Sequence, residues 1–231
     1  MTALYFFGDS WSSENCEVES LASHRQHFLN DTIKSYPAMV SDLLKMPYKN
    51  YSKPGSSQPH MIHQLLSSDI SAGDHAVFSF TAGGRRLYFD DRGIDVNIGV
   101  DKNIDAVNEY QDCWQAAWVC CTLYQYCQQQ EINCWFISTF NVSWSKQTHH
   151  PLWNSVPDRC WILPKNQCVL QSFDPEHFNQ FEEYVNSNFY DWLNTDNSQV
   201  KQFIRPCQNH PNLNGRRKIA EIVANKLLES L

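Results

Sequence analysis

No run in this sequence approaches the ~20 consecutive apolar residues that a membrane-spanning helix needs. The N-terminus has neither the basic start nor the apolar core of a secretory leader, because Met1 leads almost directly into Ala3-Leu4-Tyr5-Phe6-Phe7. Positive charge is scarce. Lys and Arg total 18 against 25 Asp and Glu, a net charge of -7, which argues against a general nucleic-acid binder with its basic face. A soluble, cytoplasmic protein is expected, with no membrane span and no nucleic-acid partner. None of the nine cysteines forms a C-x-x-C pair, so zinc-ribbon and thioredoxin-type chemistry lack their spacing. The cysteine count is odd, and several lie in apolar surroundings, as in Trp118-Val119-Cys120-Cys121 and Cys134-Trp135-Phe136. Such residues are expected to be buried free thiols. Also missing are a Walker A loop, an H-E-x-x-H helix, an EF-hand loop and a G-x-S-x-G elbow. There is no internal repeat, low-complexity tract or linker, and no cofactor or metal is implied.

What is present fits one globular domain over residues 1–231. A chain of this length buries roughly 70–75% of its unfolded surface and folds without staples. Short apolar runs without alternation occur at Ala3–Phe7, Ala76–Phe80 and Cys134–Phe140, with a weaker Tyr48-Lys49-Asn50-Tyr51. Such runs suit strands covered on both faces of a parallel sheet.

Helical stretches alternate with them. Pro37–Leu44 is expected to turn Met39, Val40, Leu43 and Leu44 inward, and Met61–Leu66 is shorter. Asp105–Gln128 places Trp114, Ala117, Trp118, Cys121 and Tyr124 at core spacing. Asp174–Leu193 opens on Asp-Pro-Glu, a helix start, and the chain ends in an amphipathic helix over Leu213–Leu231. Alternation of this kind implies an α/β sandwich around a mostly parallel sheet. Residues 149–173 hold three prolines, two tryptophans and no clean period, which makes them a candidate substrate lid, with Trp153 and Trp161 as pocket-lining rings. Gly83-Gly84-Arg85-Arg86 reads as a turn with surface arginines.

Gly8-Asp9-Ser10 ends the first apolar run. A turn alone would account for it, since all three residues form turns readily. A nucleophilic serine would also account for it, if a base lies elsewhere. Of the nine histidines, His210 stands out, ahead of the last helix and followed by a proline that restrains its backbone. Cys207-x-x-His210 is half of a metal-ligand pattern without a second half.

The stretches "FFGDSWS" and "HPNLNGRRKIAEIV" resemble the first and last motif blocks of the SGNH (GDSL-type) hydrolases, and "NYSKPGSS" is similar to the second block. The resemblance implies a three-layer α/β/α, flavodoxin-like sandwich, the fold of an esterase or acyl-transfer enzyme. It makes Ser10 the nucleophile and His210 the base, with the backbone N–H groups of Ser10 and Gly55 as oxyanion donors and Asp9 beside them. Two departures stand out. After the strand that corresponds to Ala76–Phe80 the family carries a donor asparagine, whereas this chain reads Thr81-Ala82-Gly83-Gly84-Arg85, so Thr81, Gly83 or Arg85 would have to substitute. Three residues before the histidine the family carries an aspartate, where this chain has Cys207.

The implied substrate is a small-molecule or glycan ester, with a short acyl group on a carbohydrate or similar metabolite. The departures leave two alternatives open: an SGNH-fold binding protein without catalysis, or an acyltransferase acting on a sugar or glycan.

Overall fold

The computed structural model describes residues 2–9, 11–13, 34–53, 56–80, 86–89, 95–98, 109–139, 151–165, 167–173, 211 and 213–230. Four strands form a parallel sheet: β1 (Leu4–Phe7), β2 (Tyr48–Asn50), β3 (His75–Phe80) and β6 (Asn133–Ser138), in the order β2-β1-β3-β6. β4 (Arg86–Phe89) and β5 (Asp95–Ile98) form a separate antiparallel pair. The helices are α1 (Tyr36–Leu44), α2 (His60–Leu66), α3 (Glu109–Gln129), α4 (Pro151–Asn154), α5 (Val169–Phe173) and α6 (Leu213–Leu228), with a 3-10 turn at Asp158–Cys160.

The continuous apolar runs become strands because both faces of the sheet are covered. Side chains alternate between the faces, and each face has its own core. Leu4, Phe6, Val77, Trp135 and Ile137 point to one side, where Tyr36 and Val40 of α1 and Ile219, Ala220, Val223 and Leu227 of α6 meet them. Tyr5, Phe7, Ala76, Phe78, Phe80, Cys134 and Phe136 point to the other, against Met61 and Leu65 of α2 and Ala116, Val119, Cys120 and Leu123 of α3. A row of stacked rings, Phe7–Phe78 at 5.1 Å and Phe78–Phe136 at 5.4 Å, crosses three strands on that second face. The α/β sandwich around a parallel sheet expected from the alternation is observed, with helices on both faces as three α/β/α layers.

Local signals set several element ends. Ser35 caps α1, accepting the Ala38 N–H at 3.3 Å, and Pro37 occupies its first turn. Lys45 ends that helix in the left-handed region at φ 53.

Other expectations need correction. In α1 the buried face is Tyr36, Pro37, Ala38 and Val40, while Leu43 is 55% exposed. In α3, Trp114 and Trp118 are 47% and 42% exposed. The small residues Ala116, Ala117 and Cys120 take the contact positions instead, which lets the helix approach the phenylalanine rows closely. The β4–β5 hairpin was not expected, although Ile94-Asp95-Val96-Asn97-Ile98 alternates and follows Asp-Asp-Arg-Gly. The proposed helix over Asp174–Leu193 lies outside the described residues. Cys120, Cys121, Cys127, Cys134, Cys160 and Cys168 are buried free thiols. Burial pushes the Cys120 thiol up. Hydrogen bonding to Cys127 raises Cys134, and hydrogen bonding to Cys134 raises Cys160.

The described part of the lid candidate belongs to the core. Trp161 bridges to Phe136 in parallel, and the Ile162 N–H donates to the Phe136 carbonyl at 2.9 Å, so the segment adds to the β6 edge of the sheet. Trp153 and Trp161 are 0% and 3% exposed, with ring centroids 4.8 Å apart, and Trp161 also packs at a tilt against Phe80 and Phe136. Their size drives them inside, because fully burying a large apolar ring stabilises by roughly 1.5–3 kcal/mol. They do not stand on an exposed rim. Trp153→Ala is expected to lower stability by about 3–5 kcal/mol in denaturant melts. A variant as stable as wild type would contradict the core assignment.

His75 supplies a pH test of the same sheet. Its Nδ1 accepts the Trp135 indole N–H at 3.2 Å, which requires that nitrogen to be unprotonated. Burial lowers the His75 pKa from 6.5, with Asp74 pulling weakly the other way. The unfolded chain therefore takes up its proton first as pH falls, and stability declines from about 6.5 down to the lowered folded value. The loss of melting temperature between about pH 7.5 and 5.5 should be smaller in His75→Gln, which keeps an acceptor and does not titrate. Equal losses in both proteins would remove His75 as the cause.

Candidate functional site

Because β1, β2, β3 and β6 run parallel, their C-terminal ends lie side by side. The chain leaves β1 through Gly8, and the reason for glycine is space. A Cβ there would lie 2.9 Å from the Ser79 Cβ and 3.0 Å from both the Ser12 Oγ and the Ser79 carbonyl. Asp9 is fully buried, and its Oδ1 accepts the Trp11 N–H at 3.0 Å. Its carbonyl accepts the N–H groups of Ser12 at 3.1 Å and Ser13 at 3.0 Å. Both halves of Asp9 thus shape a tight turn, as an aspartate side chain does when it bonds two residues ahead.

Tyr36, on α1, supports this turn from below. Its hydroxyl hydrogen-bonds the Ser12 Oγ at 3.1 Å and also the Ser79 Oγ. Burial raises its pKa to about 12, the two serine bonds only partly offsetting it, so the phenol stays protonated at neutral pH. From β2, the Asn50 Nδ2 donates to the Ser12 carbonyl at 2.7 Å, while its Oδ1 accepts the Ser52 N–H at 3.1 Å. The Lys53 N–H then donates to the Gly8 carbonyl at 3.1 Å, and the Ser56 N–H returns to the Lys53 carbonyl at 3.2 Å, closing a turn. From α2, the Gln64 amide bonds the Gly8 backbone in both directions. At β3 and β6, the Thr139 N–H and Oγ1 both donate to the Phe80 carbonyl, at 3.1 and 2.6 Å.

The last helix reaches the same edge. Lys226, Glu229 and Ser230, at the end of α6, share a cleft of about 450 Å³ with Asn133, Cys134 and Trp135 at the start of β6. α6 therefore runs antiparallel to β6, and its 16 residues, ~24 Å at 1.5 Å each, carry its first turn toward the opposite, C-terminal end of the strands. Arg216, 1% exposed in that first turn, donates from Nη1 to the Lys34 carbonyl at 3.3 Å, two residues before Tyr36. Described contacts thus run from the head of α6 through Lys34 and Tyr36 to Ser12 and Ser79. Pro211, just ahead of α6, is buried. The cleft itself lies at the far edge, away from this network.

Of the residues singled out in the sequence, Asp9 lies in the network, and Trp153 and Trp161 lie in the core described above. Ser10, Gly55, Thr81, Gly83, Arg85, Cys207 and His210 fall outside the described residues. Each of four sits in the chain next to a described part of this edge: Ser10 between Asp9 and Trp11, Gly55 before Ser56, Thr81 after Phe80, His210 before Pro211. Among the described residues, no three His, Cys, Asp or Glu side chains are grouped to hold a metal. No described helix is long and apolar enough to cross a membrane.

Sequence reasoning missed Tyr36, Gln64, Asn50 and Ser79. Ser79 sits inside the apolar run Ala76–Phe80, and Gln64 inside the short helix, and a polar residue at an otherwise buried position is the one available signal.

No family model matches the chain, and no curated protein does. Solved structures do. Protein YXIM of Bacillus subtilis aligns over 99% of this chain at 10% identity and a TM-score of 0.54, and the chain spans 56% of that protein's length. A candidate lipolytic protein of the G-D-S-L family from Desulfitobacterium hafniense aligns over 98% of this chain and 99% of its own, at 11% identity and a TM-score of 0.48. A member of the lipolytic G-D-S-L family from Veillonella parvula aligns over 99% and 97%, at 15% identity and a TM-score of 0.40. The Bacillus subtilis protein shares the fold, and the other two lie below the score at which a shared fold follows. The α/β/α fold and the motif blocks at Gly8-Asp9-Ser10 and His210-Pro211-Asn212 together make this chain similar to the SGNH hydrolases.

Proposed function

We propose that the chain is a serine hydrolase that cleaves an acyl ester, with a short acyl group on a carbohydrate or small metabolite as its substrate class. The observation that supports this most is the hydrogen-bonded edge itself. Asp9 and Trp11 around Ser10, and Ser56 after Gly55, belong to one network at the strand ends where α/β folds keep their sites, and Pro211 after His210 is buried just ahead of α6, whose Arg216 bonds the Lys34 carbonyl.

In this reading Ser10 Oγ attacks the acyl carbonyl as His210 takes its proton. The N–H groups of Ser10 and Gly55 receive the oxyanion. The tetrahedral intermediate collapses, His210 returns the proton to the leaving alcohol, and an acyl-Ser10 remains. His210 then deprotonates a water whose oxygen attacks the acyl carbon, and as the Ser10 ester bond breaks His210 returns the proton to Ser10 Oγ and the acid leaves. The third oxyanion donor would come from Thr81, the Gly83 N–H or Arg85. With Cys207 in place of an aspartate, His210 would be oriented by a backbone carbonyl or a nearby amide.

That same Cys207 favours a second reading, an SGNH-fold ligand-binding protein without turnover. Replacing the triad aspartate of a serine protease costs ~10⁴ in rate. Transfer of the acyl group to a sugar or glycan in place of water is the remaining variant.

A panel of acyl esters, assayed on wild type, Ser10→Ala, His210→Ala and the double variant, separates these. Each single variant should lose at least about 10³-fold in kcat, and the double should be little worse, because residues acting as a unit are not additive. An added sugar acceptor that diverts the acyl group marks a transferase. Ser10→Ala retaining the wild-type rate would remove Ser10 from the chemistry, and a wild type that binds but never turns over would leave the binding protein.

A further inference from the structure

We propose that Gln64 is the positioning residue that sets the spacing between the two loops carrying the oxyanion donors. This rests on the serine-hydrolase reading and names the side chain that holds its geometry.

Gln64 lies on α2 and is 3% exposed. Its Oε1 accepts the Gly8 N–H at 3.0 Å, and its Nε2 donates to the Gly8 carbonyl at 3.1 Å. The second Nε2 hydrogen goes to the Ser56 Oγ at 3.1 Å. Both amide donors are thereby used, and the acceptor is aimed at backbone. The side chain does for Gly8 what a neighbouring strand does for a residue within the sheet.

The consequence lies in what Gly8 and Ser56 flank. Gly8 stands two residues before Ser10, and Ser56 directly follows Gly55. The turn closed by the Ser56 N–H on the Lys53 carbonyl spans the sequence position of Gly55. One end of that turn is pinned to Gly8 by the Lys53 N–H, and the other end through Gln64. A glycine at position 8 has no side chain to hold it by, so the backbone must be gripped directly. Oxyanion donors act only when placed within about 0.5 Å of their productive positions, and a displacement of ~1 Å costs about 10²-fold in rate.

The test uses Gln64→Met and Gln64→Glu beside wild type, on an ester that wild type hydrolyses. Gln64→Met keeps the side-chain volume and removes all three bonds. It should lower kcat by about 30- to 100-fold with KM within about threefold of wild type, because the lost interaction bears on the transition state rather than on ground-state binding. Gln64→Glu keeps the acceptor for the Gly8 N–H and loses the donor when ionised. Its kcat relative to wild type should rise as pH falls and the carboxyl regains a proton to donate. The ratio is read at temperatures where melting shows both proteins fully folded at every pH, so that a pH-dependent loss of fold does not produce it.

An active wild type beside a folded Gln64→Met of equal kcat overturns the positioning role and leaves the serine-hydrolase reading standing. A Gln64→Glu to wild-type ratio that is flat with pH overturns it as well, and decides the matter should Gln64→Met fail to fold. A wild type that hydrolyses no ester removes the reading, and this role with it.

Discussion

A parallel sheet buried on both faces demands apolar side chains on both faces of its central strands, and it supplies partners for backbone groups only while the strands last. The rest of this structure follows from those two halves. Along the strands the demand is met by alternate residues pointing to separate cores, Leu4, Phe6, Val77 and Ile137 to one side and Phe7, Phe78 and Phe136 to the other. At the strand ends the ladder stops inside the protein, where an unpaired backbone group costs roughly 1–3 kcal/mol. Side chains take over: Gln64 for Gly8, Asp9 for its own turn, Asn50 for Ser12, Thr139 for Phe80.

The edge of the sheet is consequently polar and buried at once, with Ser12, Ser56, Ser57, Ser79, Ser138 and Thr139 all nearly inaccessible. A satisfied network in a low-dielectric setting is rigid as well as stable. Rigidity is what acyl transfer needs, since its catalysis depends on donors fixed in advance around the developing oxyanion. The serine-rich, glutamine-clamped edge therefore serves two ends. It resolves the backbone problem created by the sheet, and under the proposed function it holds firm the chain on either side of Ser10.

The sequence disclosed these layers unevenly. Three of the four parallel strands were legible, because a short, uninterrupted apolar run needs cover on both faces, although Cys134–Phe140 overran the observed end at Ser138, and edge strand β2, Tyr48-Lys49-Asn50, gave only a weak signal. Helix faces were less legible. Trp114 and Trp118 outweigh Ala116, Ala117 and Cys120 in any hydrophobic pattern, yet close packing on flat phenylalanine rows favours the small residues. The segment around Trp153 and Trp161 lacks a period because it is made of single turns and one bridge, so it passed for a lid. Ser10 and His210 were singled out through motif blocks at the two ends of the chain, and both lie outside the described residues. Gln64 was not singled out, because its role depends on a fold contact across 56 residues.

The central claim is that Ser10 is an activated nucleophile with His210 as its base. Treating the native protein with a fluorophosphonate probe and mapping the adduct by mass spectrometry tests this most directly, because a serine hydroxyl reacts only where a base adjoins it. One adduct is expected, on Ser10, that disappears on denaturation and forms far more slowly in His210→Ala. No adduct, or an adduct on another residue of the folded protein, would contradict it.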